Sequence, residues 1–287
     1  MNCIFCQATS DSSKAVEHII PESLGNTDHV LPPGWVCDGC NQYFSIKLEK
    51  PFLDSLHLTE ARFHMGVPNK RGRIPPIVGL HAQSRTKVEV FRLPNGEGLA
   101  VGAARDEDPS RWIKSFTTNT SGSLYLPHTP LPEICATLSR FVGKVGLEVL
   151  AHRGLTVVGA NHEIAFKPEL GELRDFVRWN RGHSDWPISV RRIYPSDFLY
   201  REPMGAPFEV LHEFDILVTS DSEYFVVFAI FGVEYAMNLG GPEIDGYEKW
   251  LVEHDNKSPL YAGKNAEPSP APYPEGRADA PFVSGEA

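Results

Sequence analysis

Cys3-Ile4-Phe5-Cys6 and Cys37-Asp38-Gly39-Cys40-Asn41 bracket the run Ala15-Val16-Glu17-His18-Ile19-Ile20-Pro21-Glu22-Ser23-Leu24-Gly25-Asn26. A C-x-x-C turn brings two sulfurs close enough to share one ion, and two such turns supply the four thiolates that structural Zn2+ prefers. The first sixty or so residues hold few large apolar side chains and build a poor core, so they need such a staple. Zinc ligation contributes about 10 kcal/mol or more in modules of this size. A redox C-x-x-C pair or plain buried thiols are the other readings. A redox pair normally occurs once, beside a βαβ pattern, and two pairs around a histidine run fit that badly. The fifth cysteine, Cys135, reads as a small core residue in a helix.

The run between the knuckles has the components for phosphodiester hydrolysis. That reaction needs a base to deprotonate water and a cation to offset charge on the phosphate. His18 accepts a proton near neutral pH. Glu17 and Asn41 offer hard oxygens that suit Mg2+ or Mn2+. Adjacent strand residues point to opposite faces, so a bulge or strand end must turn Glu17 and His18 toward one site. Asn41 is expected at a helix start, where N–H groups attract anions. A solvated carboxylate for Glu17, a bare helix cap for Asn41 and a plain turn residue for Asn26 stay open as alternatives.

These motifs (C-x-x-C, EHIIP, LGN, C-x-x-C-N, then a helix) resemble the HNH, or ββα-metal, nucleases. The likeness covers residues 3 to about 53. It is nearest to the four-cysteine sub-group of endonuclease VII and McrA-type nucleases. The resemblance implies that Cys3, Cys6, Cys37 and Cys40 hold zinc, and that His18 is the general base. It implies that Glu17 and Asn41 hold one catalytic Mg2+ or Mn2+, and that Asn26 braces the loop and orients His18. Two departures stand out. Many relatives have aspartate where Glu17 stands, and many carry a final histidine one helical turn after Asn41, where this chain has Tyr43 and Ser45.

The implied activity is an endonuclease acting on nucleic acid, with DNA the expected substrate. A non-catalytic zinc knuckle that binds nucleic acid or protein is the alternative. Lys47, Lys50, Lys70, Arg71 and Arg73 are candidates for phosphate contact, although short charged loops are usually just solvated. Arg174, Arg178, Trp179 and Arg181 form a second candidate patch.

The rest of the chain reads as a mixed domain, giving an α+β protein: a small zinc-stapled ββα-metal module followed by helices and antiparallel sheet. The expected division is 1–65 for the module, 66–76 for a linker, 77–255 for an accessory domain and 256–287 for a disordered tail. Residues 41–60 look helical, with Pro51 kinking or splitting the helix. Residues 77–128 alternate apolar stretches with glycine and proline, and the PNG at 94–96 suits a turn between strands. Ile134, Leu138, Phe141, Val142, Val145 and Leu150 mark one apolar face of a helix spanning 131–154. A second short helix covers Pro168 to Trp179. Val210 to Thr219 and Glu223 to Leu239 read as two strands of a hairpin.

Forty-one per cent of the 287 residues are hydrophobic, which allows a sizeable core, and the net charge is −10. That acidity excludes binding through one large basic surface, so any contact with nucleic acid is expected to be local, metal-assisted or transient. No apolar run reaches membrane length. The start Met1-Asn2-Cys3 lacks the pattern of a secretory signal, so the cytoplasm is the expected location.

Overall fold

The computed structural model describes residues 1–69, 71–93, 98–118, 121–128, 131–156, 162–194, 198–201, 212–260 and 267–270. In chain order, the strands β1 (Glu17–His18) and β2 (Val30–Leu31) precede the helices α1 (Asp38–Phe44), α2 (Lys50–Leu53) and α3 (Leu56–Met65). Next come β3 (Ile77–His81), β4 (Thr86–Arg92), β5 (Leu99–Ala103), α4 (Pro109–Thr118) and β6 (Leu124–Tyr125). The long helix α5 (Ala136–Thr156) and α6 (Gly171–Trp179) follow. The chain continues with β7 (Ser189–Arg192), β8 (Phe198–Arg201), β9 (His212–Val218), β10 (Tyr224–Ile230), β11 (Val233–Asn238), α7 (Asp245–Glu253) and β12 (Glu267–Pro270). All the sheets are antiparallel.

Two compact units form, and they run across the linear boundaries read from the sequence. Among the described residues, one comprises those of Met1–Ser55 with Pro130–Pro270, and the other those of Leu56–Thr129. The cysteine-bearing N-terminal segment shares its unit with α5, whose polar side is buried against it. Arg140, Lys144 and Glu148 are all buried, so α5 is enclosed on every side rather than amphipathic. The helix begins at Ala136 rather than at 131, and Cys135 is exposed just ahead of it, not a core residue.

In that first unit, β10 and β11 lie at the centre of a sheet ordered β7-β11-β10-β9. The stretch expected as one strand from Glu223 to Leu239 is itself a hairpin, turned by Phe231 and Gly232 with φ of 49° and 76°. Both of its faces are covered. Phe225, Val227, Ala229 and Ala236 pack on Tyr247 and Leu251 of α7 and on Leu260. On the other face α5 comes so close that a Cβ at Gly143 would meet Met237 Sδ of β11 at 3.3 Å (and Val177 Cγ2 of α6 at 2.6 Å), and one at Gly146 would meet Val226 Cγ1 of β10 at 2.9 Å. Glycine is required there by the approach, despite its cost in helix propensity. Burial on both faces explains why these strands read as a continuous apolar run.

Pro51 does not split the helical region. A π turn at Ser45–Glu49 precedes it, with Lys50 N–H donating to Ser45 O, and Pro51 then sits in the first turn of α2, where its missing N–H is tolerated. The chain breaks instead at Asp54–Ser55, between α2 and α3. The expected tail disorder does not hold as far as Leu260, which is buried, nor at β12, which pairs with β8. Residues 261–266 and 271–287 of that expectation lie outside the described residues.

The second unit has a sheet ordered β5-β4-β3-β6, with Phe63 of α3, Ile77 and Val90 at its core. Residues 66–76, expected as an interdomain linker, are a loop of this unit between α3 and β3. The region expected as strands also holds the amphipathic α4, which Asp108 starts by accepting the Ser110 N–H at 2.9 Å. The turn expected at 94–96 lies outside the described residues.

Candidate active site and metal centre

The four cysteines converge. The Sγ atoms of Cys3, Cys6, Cys37 and Cys40 all lie within 4.8 Å of one another, and Cys6 and Cys37 are 3.7 Å apart. A tetrahedral zinc site with Zn–S bonds of about 2.3 Å requires sulfurs about 3.8 Å apart. The spacing and the all-thiol donor set therefore suit zinc. Hydrogen bonds pre-set the thiols. The Cys37 N–H donates to Cys3 Sγ at 3.3 Å, and the Cys40 N–H to Cys37 Sγ at 3.4 Å, which makes Cys37 the N-cap of α1. The Cys40 thiol bond holds Cys3 down at about 5 and pushes Cys40 itself upward. Arg178 of α6 adds a charged donor, with Nε 3.1 Å from Cys40 Sγ and its guanidinium stacked 4.1 Å over Tyr43 and over Trp179.

β1 and β2 pair with Glu17 opposite Leu31 and His18 opposite Val30, and α1 follows, giving a ββα order around the cysteines. Asp38 ties α1 to the approach to β1, since its Oδ1 accepts the N–H groups of Lys14 and Ala15 at 3.1 and 3.0 Å. Asn41 is the fourth residue of α1 rather than its first, and its Nδ2 donates to Val16 O at 3.4 Å. Asn26 is fully buried in the loop between β1 and β2. Its Nδ2 donates to Ile20 O (2.8 Å) and His29 O (2.9 Å), while its Oδ1 accepts from the N–H groups of Asp28 and His29. The amide thus ties the two sides of the loop together and makes no hydrogen bond to His18. The half-buried His18 has a buried Nδ1 with no hydrogen-bond partner among the described residues.

Glu17 faces inward. It is 4 % exposed, and its Oε1 lies 2.7 Å from Nζ of Lys144. The same ammonium meets Glu49 at 2.9 Å and Glu148 at 3.0 Å. Burial works against the Lys144 charge, but the surrounding Glu148, Glu17 and Glu49 outweigh it and hold the lysine well above its usual value. Burial raises both Glu17 and Glu148, opposed by Lys144. Glu17 and Asn41 therefore do not form an open donor pair. The carboxylate expected to hold Mg2+ or Mn2+ is buried on an ammonium, and this set does not fit the ion.

Around this cluster α5 supplies residues that the sequence did not flag. Arg140 donates to the Tyr43 hydroxyl at 2.6 Å and to the carbonyls of Phe176 and Val177, linking α1 to α6. His29 packs its ring against His152, His212 and Phe214, and the Nδ1 atoms of all three histidines are buried without partners among the described residues.

The candidate phosphate contacts belong to both units. Lys47 is exposed on the π turn, and Lys50 is ion-paired with Asp54. Arg71 and Arg73 are exposed in the other unit, in a turn where their N–H groups donate to Asn69 Oδ1. Lys70 lies outside the described residues. Arg174 is buried and spent on the carbonyls of Ala165 and Lys167, so it belongs to the packing rather than to a surface patch.

Residues 3–57 match the HNH endonuclease family. The matched stretch is a little under a fifth of the 287 residues. With the four-cysteine cluster it supports an HNH module at the N-terminus and nuclease activity on nucleic acid. No curated protein and no solved structure matches the chain. Among the described residues no helix is long and apolar enough to cross a membrane.

Proposed function

We propose that this chain is an endonuclease of the four-cysteine HNH kind, hydrolysing phosphodiester bonds of DNA with His18 as general base. The reading is carried by the position of His18 on β1 of a ββα order, beside a four-sulfur cluster, within the stretch that matches the HNH endonucleases. Zinc on Cys3, Cys6, Cys37 and Cys40 supplies no chemistry to the reaction; it holds the hairpin and α1 together.

The imidazole of His18 takes a proton from water, and the water oxygen attacks phosphorus in line with the departing 3′ oxygen. The bond to that oxygen breaks and it takes a proton from solvent, leaving a 5′ phosphate and a 3′ hydroxyl. Asn26 fixes the loop after β1, and Asn41 fixes α1 against Val16, one residue before Glu17.

The test is cleavage of supercoiled plasmid by zinc-loaded protein, with Mg2+, Mn2+ or neither. His18→Ala should abolish nicking while zinc content stays at one per chain. Equal cutting by the variant would remove His18 from the reaction. Cys37→Ser should lose zinc and unfold the N-terminal segment.

A second reading is favoured by the enclosure of Glu17. A module whose carboxylate is buried on a lysine suits binding without cleavage. It would retard DNA in a gel, with no nicking under any metal.

A further inference from the structure

We infer that the ammonium of Lys144 is the resident cation of this HNH site, filling the place at Glu17 that the nuclease reading gives to a divalent ion. The inference rests on that reading for the identity of the site, and on the side chains of α5 for its content.

A lysine ammonium has three N–H donors. Lys144 directs its ammonium at three carboxylates, at 2.7 Å (Glu17), 2.9 Å (Glu49) and 3.0 Å (Glu148), so its coordination is complete. Its side chain has no exposure at all, and a buried charge persists only when it is paired in this way. Glu17 and Glu49 come from the segment that matches the HNH endonucleases, whereas Lys144 and Glu148 come from α5, far outside it. The cation is thus delivered by the body of the protein, into carboxylates of the module.

Three carboxyl groups surround one ammonium, so the nest holds more oxygen atoms than the three N–H groups of the lysine engage. Its third acid has capacity to spare, since Glu148 Oε1 is wholly buried and has no hydrogen-bond partner among the described residues. Converging carboxylate oxygens are the donors that Mg2+, Mn2+ and Ca2+ take. While the lysine is present, a divalent ion on Glu17 would sit beside a like charge at close range, where repulsion is twice that between unit charges. Lys144 therefore keeps such an ion out, and its removal should turn the nest into a divalent-ion site.

The experiment is a Mn2+ titration of the zinc-loaded full-length chain, followed by the electron paramagnetic resonance signal of free Mn2+. Glu17→Gln should bind Mn2+ as the unaltered chain does. Lys144→Met should bind roughly tenfold more tightly or better, and adding Glu148→Gln to it should abolish the gain. A Mn2+ site in the unaltered chain that weakens in Glu17→Gln would overturn the inference, as would a Lys144→Met chain with unchanged affinity. If Lys144→Met does not fold, the comparison of the unaltered chain with Glu17→Gln decides alone. Mn2+ affinity is read without any cleavage, so failure of the nuclease reading in the plasmid assay is a separate result.

Discussion

Arg178 Nε lies 3.1 Å from Cys40 Sγ, which ties a helix beginning at residue 171 to a ligand of the N-terminal cysteine cluster. Four thiolates around one Zn2+ carry two net negative charges, and the guanidinium offsets part of them. Arg178→Met should therefore lower zinc affinity by about tenfold or more, the usual effect of losing a partner of a metal ligand. Competition with a chromophoric chelator measures it, with far-ultraviolet circular dichroism to verify the fold. An unchanged zinc affinity would mean that the Arg178–Cys40 contact is packing alone.

Gly146 lies where α5 meets the central sheet, and a Cβ there would fall 2.7 Å from Leu239 Cδ2 and 2.9 Å from Val226 Cγ1. Alanine is the better helix former, yet here overpacking should win. Gly146→Ala should destabilise the fold by about 1–3 kcal/mol. Gly171→Ala is the control, because a Cβ at the start of α6 meets nothing within 4 Å. Urea melts that rank the two alike would contradict the close approach.

His152 and His212 are both held below their ordinary value, first by burial and then by the charge of the neighbouring His29. A histidine with a depressed pKa takes up its proton more readily in the unfolded chain. Its neutral form therefore supports folding fully above the ordinary histidine value of about 6.5, and that support is lost as pH falls below it. The melting temperature should drop between about pH 7 and pH 5, and His212→Phe should reduce the drop. A melting temperature that rises on acidification would give the opposite sign and refute the argument.

Asn26 satisfies two carbonyls and two N–H groups of the loop between β1 and β2 with one buried amide. Asn26→Ala leaves them unpaired, at a cost of about 2–4 kcal/mol. Chemical denaturation reads this, and limited proteolysis should show cleavage concentrated in residues 20–30.

The local features of the site were legible because they depend on short spacings. Two C-x-x-C pairs, a histidine beside an acid and an asparagine after a glycine keep their meaning over thirty residues. What escaped the sequence came from α5 and α6. Arg140, Lys144 and Glu148 recur every four residues, the signature of a solvated helix face, and nothing local reveals that this face is buried against the module. The division of Glu223 to Leu239 was hidden for a related reason. Phe231-Gly232 lacks the usual Asn-Gly signal, and strands covered on both faces show no alternation. Glu17 was identified as a site residue, but its direction was not readable, since it depends on a lysine more than a hundred positions away.

That separation has a consequence for biosynthesis. The last thiol of the four-cysteine cluster leaves the ribosome with residue 40, whereas the ammonium that pairs Glu17 and Glu49 emerges with residue 144. At about 5–20 residues per second, translation leaves roughly 5–20 s in which the amino-terminal segment carries these acidic groups without their ammonium. During that interval Glu17 and Glu49 lack the ammonium that pairs them in the finished protein, and the emergence of α5 ends it.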